Sequence, residues 1–599
     1  MVYTLGVDFG TSSTKVSIRR GKQVPLEIPI GRGSMYMPSV VAYRIGQDAS
    51  FPEVMAVGED ADSAVGENII VVREIKRVFT YEKTGSAVPT DRYPWWNPTD
   101  KCVQIGNSRI KPHDVVLVIL REALDRAIKW VRETDFADIG EFDIKGLPAQ
   151  FGCSVTATLA IRKTLWEIIR SLGVRRFKIN DLTEEPVLAS MSFINPQATS
   201  DYVRPGQIVL IYDLGGGTFD TAIVKVEDVD SEGYPVVTVL AADGEPLCGG
   251  ADVDEAVTDY LLERIAEKTS ETMEQVRSNL NVEQSQKLRI LARESKEALS
   301  SVFEMEVTWP LDFPAEYSID LSISRPQLAT ILRKTMLVEK TQNCVLRAWR
   351  YARMFIRKLG EDVGGFHIMY DRSTGVIKGH VLGLKDADLM GMVDRILIVG
   401  GTTLMPAIRE KLEELWGKDK LVSQEVIHPV MACATGAAWQ AGRTRKKLSR
   451  IVDRLPFSML FDDKTGAPIR LYEAYTPIIK FRPLKGVIEP LKTESFGLRK
   501  GSKQADIIYE AADGKTEQSV EVNPKALGPY RLTVDLFGSI NIVDALGGKQ
   551  ILPNPAQHSL QKEQLRLLES VRKQKEEEDR RRTKKQLWEK PGERLREVG

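Results

Sequence analysis

The 599-residue chain has no long apolar run. The longest, Val115 to Leu120, covers six residues, against the ~20 that a bilayer-spanning helix needs. It has no net charge, with 83 Lys+Arg against 83 Asp+Glu. That balance removes the field that draws a protein onto nucleic acid or an anionic membrane, so neither partner is expected. Histidine and cysteine are scarce, five of each, and no CxxC pair or metal-ligand spacing occurs. Neither a disulfide framework nor a His/Cys metal centre is therefore expected. Cys102, Cys153, Cys248, Cys344 and Cys433 read as reduced, packed thiols of a cytosolic or nuclear protein, and a cytoplasmic location is assigned. The N-terminus lacks the basic head and apolar core of a secretion leader, so secretion is not expected. What is present is 42% hydrophobic, a soluble globular composition, at a length suited to three or four domains or lobes.

Strand and helix signals alternate through two successive stretches. In the first, residues 3–8 and 14–19 predict a β-hairpin around a glycine turn. Residues 34–110 read as irregular and turn-rich. Pro112 and His113 open a helix to about Val131. Ser154 is expected to cap a helix running to Leu172, "FKIN" is a strand, and "EEPVLASMSF" enters a helix with Pro186 in its first turn. The second stretch restarts at Ile208 with "IVLIYDLGGGTFD", then "CGGADVDEAVTDYLLERIAEK", a charged amphipathic helix over 283–301, "RILIVGGTTLMP" and the small-residue helix "ATGAAWQAG". After Arg450 the pattern changes. Residues 455–556 carry strand signals such as "PYRLTVDLFGSINIVDAL", and 557–599 form a charged helical tail whose "RRRTKK" run reads as a solvated face. Trp95 and Trp96 read as packed side chains.

The hairpin is written twice, as "LGVDFGTSSTKVSI" and as "LIYDLGGGTFDTAIVKV". Glycine turns let backbone N–H groups approach phosphate oxygens, and Thr11, Ser12, Ser13 and Thr218 add hydroxyl donors. Asp8 and Asp213, one at each strand end, would repel phosphate alone but suit Mg²⁺ held directly or through its waters. Two such hairpins facing across a cleft would clamp a nucleoside triphosphate from both sides. Gly400 and Gly401 would let a nucleoside lie against the backbone. Lys15 either contacts phosphate or points to solvent.

These elements, in this order, resemble the actin, sugar-kinase and heat-shock ATPase superfamily, and within it the heat-shock protein 70 (DnaK-type) chaperones. "DLGGGTFD" is similar to that family's second phosphate motif, "REIKRVF" to its lysine-bearing segment, "TEEPVLAS" to its Asn-Glu-Pro loop, and "LCGGADVDEAV" and "LRILARESKEALS" to later nucleotide-contact segments. The resemblance implies a two-lobed α/β actin-like ATPase core over 1–445 (lobes about 1–200 and 201–445) with duplicated phosphate-binding hairpins. A linker at 446–454, a β-rich substrate-binding-like module at 455–556 and the short charged helix follow. It implies ATP/ADP and Mg²⁺ as cofactors, extended or unfolded polypeptides as clients, and nucleotide-exchange factors or co-chaperones as partners.

Carried over, Asp8 and Asp213 hold the metal shell, and Lys76 positions water and γ-phosphate. Thr218 and Thr11 bond phosphates, while Glu185, with Glu184 as its competitor, and Asp220 orient water. Gly10, Ser12, Ser13, Lys15, Gly215, Gly216, Gly217, Gly249, Gly250, Gly400, Gly401 and Thr402 line the nucleotide. Lys296 and Ser300, one helical turn apart, reach the ribose.

The chain departs from the family at the base. Glu297 and Leu404 stand where two arginines sandwich adenine, and Arg293 stands where an acid contacts the nucleoside. "SRIVDRLP" replaces an apolar, acidic linker. The expected activity is slow ATP hydrolysis with chaperone-like client binding. A nucleotide-gated interaction or scaffold protein with little turnover is the nearest alternative, ahead of a small-molecule kinase, suggested by "DFGTSSTK", and an actin-like filament.

Overall fold

The structure, a computed structural model, describes residues 3–552 except 46–51, 65, 67, 85–86, 135–145, 158, 173–176, 194–203, 230–234, 312, 359–365, 372–375, 382–390, 424–425, 427, 442–450, 453–457, 473–478, 483–486, 493–495, 499–504, 512–513, 521–529, 535–539, 545 and 547. The charged tail at 557–599, its basic run, and most of the 446–454 linker lie outside the described residues.

Two mixed sheets carry the architecture. The first contains β1 (Tyr3–Phe9), β2 (Ser13–Arg20), β3 (Leu26–Ile28), β4 (Leu147–Cys153) and β5 (Phe177–Glu184), in the order β5-β4-β1-β2-β3. The second contains β6 (Ile208–Leu214), β7 (Phe219–Val229), β8 (Pro235–Glu245) and β9 (Arg395–Val399), in the order β9-β6-β7-β8. In each, a strand pairs parallel with one neighbour (β1 with β4, β6 with β9) and antiparallel with the next through a tight hairpin. Every residue of β1 and β6 is buried, as expected for central strands covered on both faces. An isolated parallel bridge from Ile396 to Leu421 continues the second sheet where β5 extends the first. The two linker residues Ile451 and Val452 pair parallel with Val237 and Thr238, so this part of the linker adds an edge strand to the second sheet.

The helices that position the cleft are α1 (Ile75–Thr84), α2 (Pro112–Glu133), α3 (Glu185–Phe193), α4 (Gly250–Thr269), α5 (Val282–Ala298) and α6 (Ala432–Ala441). Proline at the first position of α2 loses no helical hydrogen bond, and Val115, Ile119, Leu120, Leu124, Ile128 and Val131 form its buried stripe. Helices α3 and α6 cross between the sheets, and α6 also lies on β1. Their contact is backbone to backbone: a Cβ on Gly436 of α6 would sit 1.7 Å from the Leu188 carbonyl oxygen of α3. Any side chain there would drive the helices apart, at a cost of about 1–3 kcal/mol or more. One large core lies under the first sheet and another under the second, while a smaller one fills the α3–α6 crossing.

Three features differ from the sequence reading. Residues 34–110 are not irregular. Val41–Arg44, Glu53–Val57 and Ile69–Val72 form one small sheet, Trp96–Asn97, Cys102–Ile105 and Ser108–Ile110 another, and α1 lies between. Strands of two to five residues are too short to show a period of their own. Ser154 does not cap a helix. The next helix starts at Leu159, and the Ser154 hydroxyl bonds Thr156 and Asp220 instead. The helix read as 283–301 ends at Ala298. Trp95 and Trp96 are packed, 3% and 5% exposed.

Beyond the second sheet the described strands are all β. Ile469–Tyr472, Ser458–Asp462, Ala505–Ala511 and Gly514–Val520 form one antiparallel sheet. Ile479–Arg482, Val487–Lys492, Arg531–Val534, Ile540–Val543 and Lys549–Leu552 form a second. Phe461 of the first meets Phe496 at 4.6 Å between ring centroids, and Phe496 meets Tyr530 at 6.0 Å, beside the second. These buried rings join the two sheets.

Candidate active site

The two hairpins correspond position for position. Gly10 N–H donates to Ser13 O at 3.0 Å, and Gly215 N–H donates to Thr218 O at 3.1 Å. Asp8 faces Lys15 across the first hairpin, and Asp213 faces Asp220 across the second. The turns lie against each other. A Cβ on Gly216 would be 2.1 Å from Ser12 Oγ, and one on Gly217 would be 2.4 Å from Thr11 Oγ1. The glycine run thus admits the other hairpin's hydroxyls. Other elements brace the second turn. The N-terminal amides of α4, Gly250 and Ala251, donate to the Gly215 and Gly216 carbonyls at 3.1 and 2.7 Å, and the Thr402 hydroxyl donates to Gly215 O at 2.9 Å. Gly400 turns at φ +89°, where a Cβ would also meet the Leu214 carbonyl at 2.2 Å.

Four carboxylates gather at this junction. Asp8 accepts from Lys15 Nζ at 3.0 Å. Glu185, the first residue of α3, accepts from Lys76 Nζ at 2.7 Å, and Lys76 also donates to Phe9 O at 2.8 Å. Asp220 accepts from the Ser154 hydroxyl, the Val155 amide and the Thr218 hydroxyl at 2.9, 3.0 and 3.3 Å. Asp213 receives the Cys433 thiol at 3.5 Å. All four are at least nine-tenths buried.

Two ammoniums face four carboxyls, and the acids respond. Burial pushes Glu185 up to about 7, with Lys76 opposing and Asp8 and Asp220 adding to the rise. Burial, then Glu185, Asp220 and Asp8, hold Asp213 well above the usual carboxylate range. Burial alone would lower Lys76, but Glu185, Asp8 and Asp220 outweigh it and raise it. Lys15 is likewise raised, Asp8 outweighing burial. Buried, under-compensated carboxyls are the donor set for a hard divalent cation, so the residues present fit Mg²⁺. Among the described residues, no group of three or more His, Cys, Asp or Glu side chains is placed to hold an ion directly, so an ion here would take at most one or two carboxylates and keep several of its waters.

The structure brings Glu185, and not Glu184, to Lys76, and it places Lys15 on Asp8 and not in solvent. Lys296 is buried against Asp254 at 2.6 Å. Ser300 lies in the turn beyond α5 and its cap Leu299, so it does not continue a helical face from Lys296. A Cβ on Gly401 would meet nothing within 4 Å, and Leu404 is 41% exposed. Sequence reasoning missed the seam between the lobes. Arg77, 1% exposed, forks onto Asp252 at 2.7 and 3.2 Å; Arg293 holds Asp62 at 2.7 Å; Arg92 binds Glu74 and the Ala251 carbonyl. Arg293 is therefore engaged by an acid of the first lobe. It also missed Cys433 beside Asp213. No local motif marks the Arg77–Asp252, Arg92–Ala251, Arg293–Asp62 and Cys433–Asp213 contacts, whose partners lie 159 to 231 residues apart.

A family model described as Hsp70 protein matches residues 188–363 and 373–479. The chain is 25% identical over 540 residues to the chaperone protein DnaK of Psychrobacter cryohalolentis, covering 88% of this chain and 70% of that protein.

Proposed function

The chain belongs to the heat-shock protein 70 family, and from that premise we propose that its inter-lobe cleft binds ATP and ADP with Mg²⁺ and hydrolyses ATP slowly to drive client binding. The observation that carries this reading is the buried, under-compensated carboxyl cluster set between two facing hairpin turns, with Lys76 beside it. Asp8, Asp213 and Asp220 would hold the hydrated ion, which supplies charge neutralisation for the phosphates. Lys76 stabilises charge developing on the transferred phosphoryl group, and Glu185 orients the attacking water. Thr11 and Thr218 donate to phosphate oxygens, with Gly10, Ser12, Ser13, Lys15 and Gly215 to Gly217 shaping the cradle. Gly249, Gly250, Lys296, Ser300 and Gly400 to Thr402 face the nucleoside. In phosphoryl transfer, positioning and charge stabilisation supply most of the acceleration.

The β-rich region after the second lobe would take extended polypeptide by strand addition, and Ile451–Val452 on β8 offers it a physical link to the ATPase core. Nucleotide-exchange factors and co-chaperones are the remaining partners of this reading. Five buried free thiols suit a reducing cytoplasm. A second reading, nucleotide-gated binding with little turnover, is favoured by the Arg77–Asp252 and Arg293–Asp62 pairs, which tie the lobes together.

Calorimetry with ATP, with and without Mg²⁺, followed by single-turnover phosphate release, tests both readings. Mg²⁺-dependent binding with slow release supports the first, and binding without release supports the second. No Mg²⁺-dependent binding at millimolar nucleotide removes both.

A further inference from the structure

Lys76 is the second residue of α1, and the backbone leading into it is strained. Glu74, just before the helix, holds φ +54°, a left-handed conformation that a residue with a Cβ keeps only where its surroundings impose it. Its carbonyl accepts the Arg77 amide at 2.8 Å. Its carboxylate accepts from Arg92 Nη2 at 3.0 Å and from the Tyr93 hydroxyl at 2.7 Å. Burial would raise the Glu74 carboxyl, but Arg92 and Arg77 outweigh it and hold it below its ordinary value, so the contact is ionic. Tyr93, 2% exposed, also packs on Tyr81 of α1, with 6.1 Å between ring centroids. The same Nη2 of Arg92 donates to the Ala251 carbonyl at 2.9 Å, and Glu255 of α4 lies 3.7 Å from its Nη1. Ala251 is the second residue of α4, and its amide donates to Gly216 O in the second glycine turn at 2.7 Å. One guanidinium nitrogen therefore joins the residue that precedes α1 to the residue that braces the opposite hairpin.

We infer that Arg92 is a positioning residue, which makes the placement of Lys76 depend on the second lobe's glycine turn being closed against the first. The inference rests on the ATPase reading above and adds to it a link between closure and turnover. Largely buried ion pairs are a weak source of stability, so stability alone does not account for a bridge with these two ends. With the lobes together, Arg92 is held from both sides, Glu74 keeps its left-handed turn, and Lys76 reaches Glu185 and the Phe9 carbonyl. With the lobes apart, the Ala251 carbonyl and Glu255 leave Arg92, and the Glu74 turn is free to relax. Displacing a group that stabilises transferring charge by about 1 Å costs about 100-fold in rate. Hydrolysis is thereby confined to the closed form, while the two hairpins still hold the nucleotide.

The test compares the full chain as wild type, Arg92→Ala, Glu74→Gln and the double variant, by calorimetry with ATP and Mg²⁺ and by single-turnover phosphate release. Arg92→Ala is expected to slow release about 10- to 100-fold, with ATP affinity within about threefold of wild type. Glu74→Gln should slow release in the same sense. The double variant should be no slower than the slower single variant, because both act through one path. Arg92→Gln, whose shorter amide cannot span Glu74 and Ala251, replaces the alanine variant if that one does not fold. Unchanged release from Arg92→Ala beside an active wild type overturns the inference and leaves the ATPase reading intact. Equal losses of rate and affinity also overturn it, since Arg92 would then be a seam contact only, as do losses that multiply in the double variant. A wild type that releases no phosphate removes the ATPase reading, and this inference with it.

Discussion

The two hairpins share a backbone and differ in one pairing. In the first, Asp8 is opposite Lys15 and bonded to it; in the second, Asp213 is opposite a second carboxyl, Asp220. The turn geometry is the same in both, and a single cross-strand position sets the difference in charge. The first hairpin is close to neutral and carries the hydroxyls of Thr11, Ser12 and Ser13 toward the junction. The second concentrates negative charge and leans on glycine, so that those hydroxyls can approach. A symmetric clamp would treat both ends of a metal–phosphate ligand alike. On the proposed reading, this one would draw the cation chiefly to the second hairpin.

The largest effect is expected where the two hairpins meet. Lys76→Ala removes the ammonium that lies between them and leaves Glu185 without its partner. Turnover should fall about 10²–10³-fold, the loss typical of removing one preorganised transition-state donor, while nucleotide affinity changes much less. Single-turnover phosphate release beside calorimetry measures both. Equal losses in rate and affinity would place Lys76 in ground-state binding only.

The pairing difference itself is broken next. Asp213→Asn should cost about 100-fold in Mg²⁺-dependent nucleotide affinity, near 3 kcal/mol, whereas Asp8→Asn should cost about tenfold, because Lys15 is then freed to face phosphate. Equal losses would mean the hairpins share the cation. The same Asp213 variant has a pH signature. A carboxyl whose folded pKa is raised takes up a proton on folding, so its contribution falls as pH rises from the unfolded value through the folded one. Asp213 is raised well above its usual value, as is Glu185, to about 7. Nucleotide-free Asp213→Asn should therefore be more stable than wild type at pH 8, with the advantage shrinking toward pH 4. Denaturation midpoints across that range report it.

How much of this was legible in the sequence follows from how local each feature is. The hairpins, α2 and α4 announce themselves because strand period, glycine turn and apolar stripe lie within one short window. The Lys76–Glu185 contact was reachable only through family resemblance, since 109 residues separate the partners. Ser154 was misread as a cap because its hydroxyl serves Asp220, 66 residues later. The sheets within 34–110 were missed because their strands are too short for alternation to register. The glycines at 216 and 217 were read as room for phosphate; the side chains that approach them in the folded chain are Ser12 and Thr11.

A smaller effect is expected at the base. Glu297 and Leu404 offer no guanidinium to stack on adenine, and Arg293, which sequence reasoning held in reserve, is committed to Asp62. ATP and GTP should compete within a few-fold of each other in wild type. Leu404→Arg places a cation at a 41%-exposed position and should improve ATP affinity by about 0.5–2 kcal/mol, about 2- to 30-fold. Strong ATP preference in wild type, unchanged by this variant, would show that the base lies elsewhere.

The smallest expected effect sharpens the comparison from the side of Asp213. Its described hydrogen-bond donor is the Cys433 thiol, at 3.5 Å, from the second residue of α6. A thiol is a weak donor, yet it opposes the burial that raises the Asp213 carboxyl. Cys433→Val stays apolar and removes the S–H, which also lies 3.4 Å from the Glu185 carbonyl oxygen, at the cost of one added heavy atom in a buried position. The net value of such a bond is at the low end of about 0.5–1.5 kcal/mol, so Mg²⁺-dependent affinity near pH 7 should fall only about twofold. The more telling readout is the pH profile of that binding. Without the donor, the ionised carboxylate is less favoured, so the acid limb should move to higher pH. Cys433→Ser, which restores a stronger donor, should move it back or beyond wild type. Asp8 provides the internal comparison, because Lys15 supplies its hydrogen-bond partner in all three variants. If valine, serine and cysteine at 433 give one superimposable profile, the thiol serves only to fill space beside α3, and the two aspartates differ by their cross-strand partners alone.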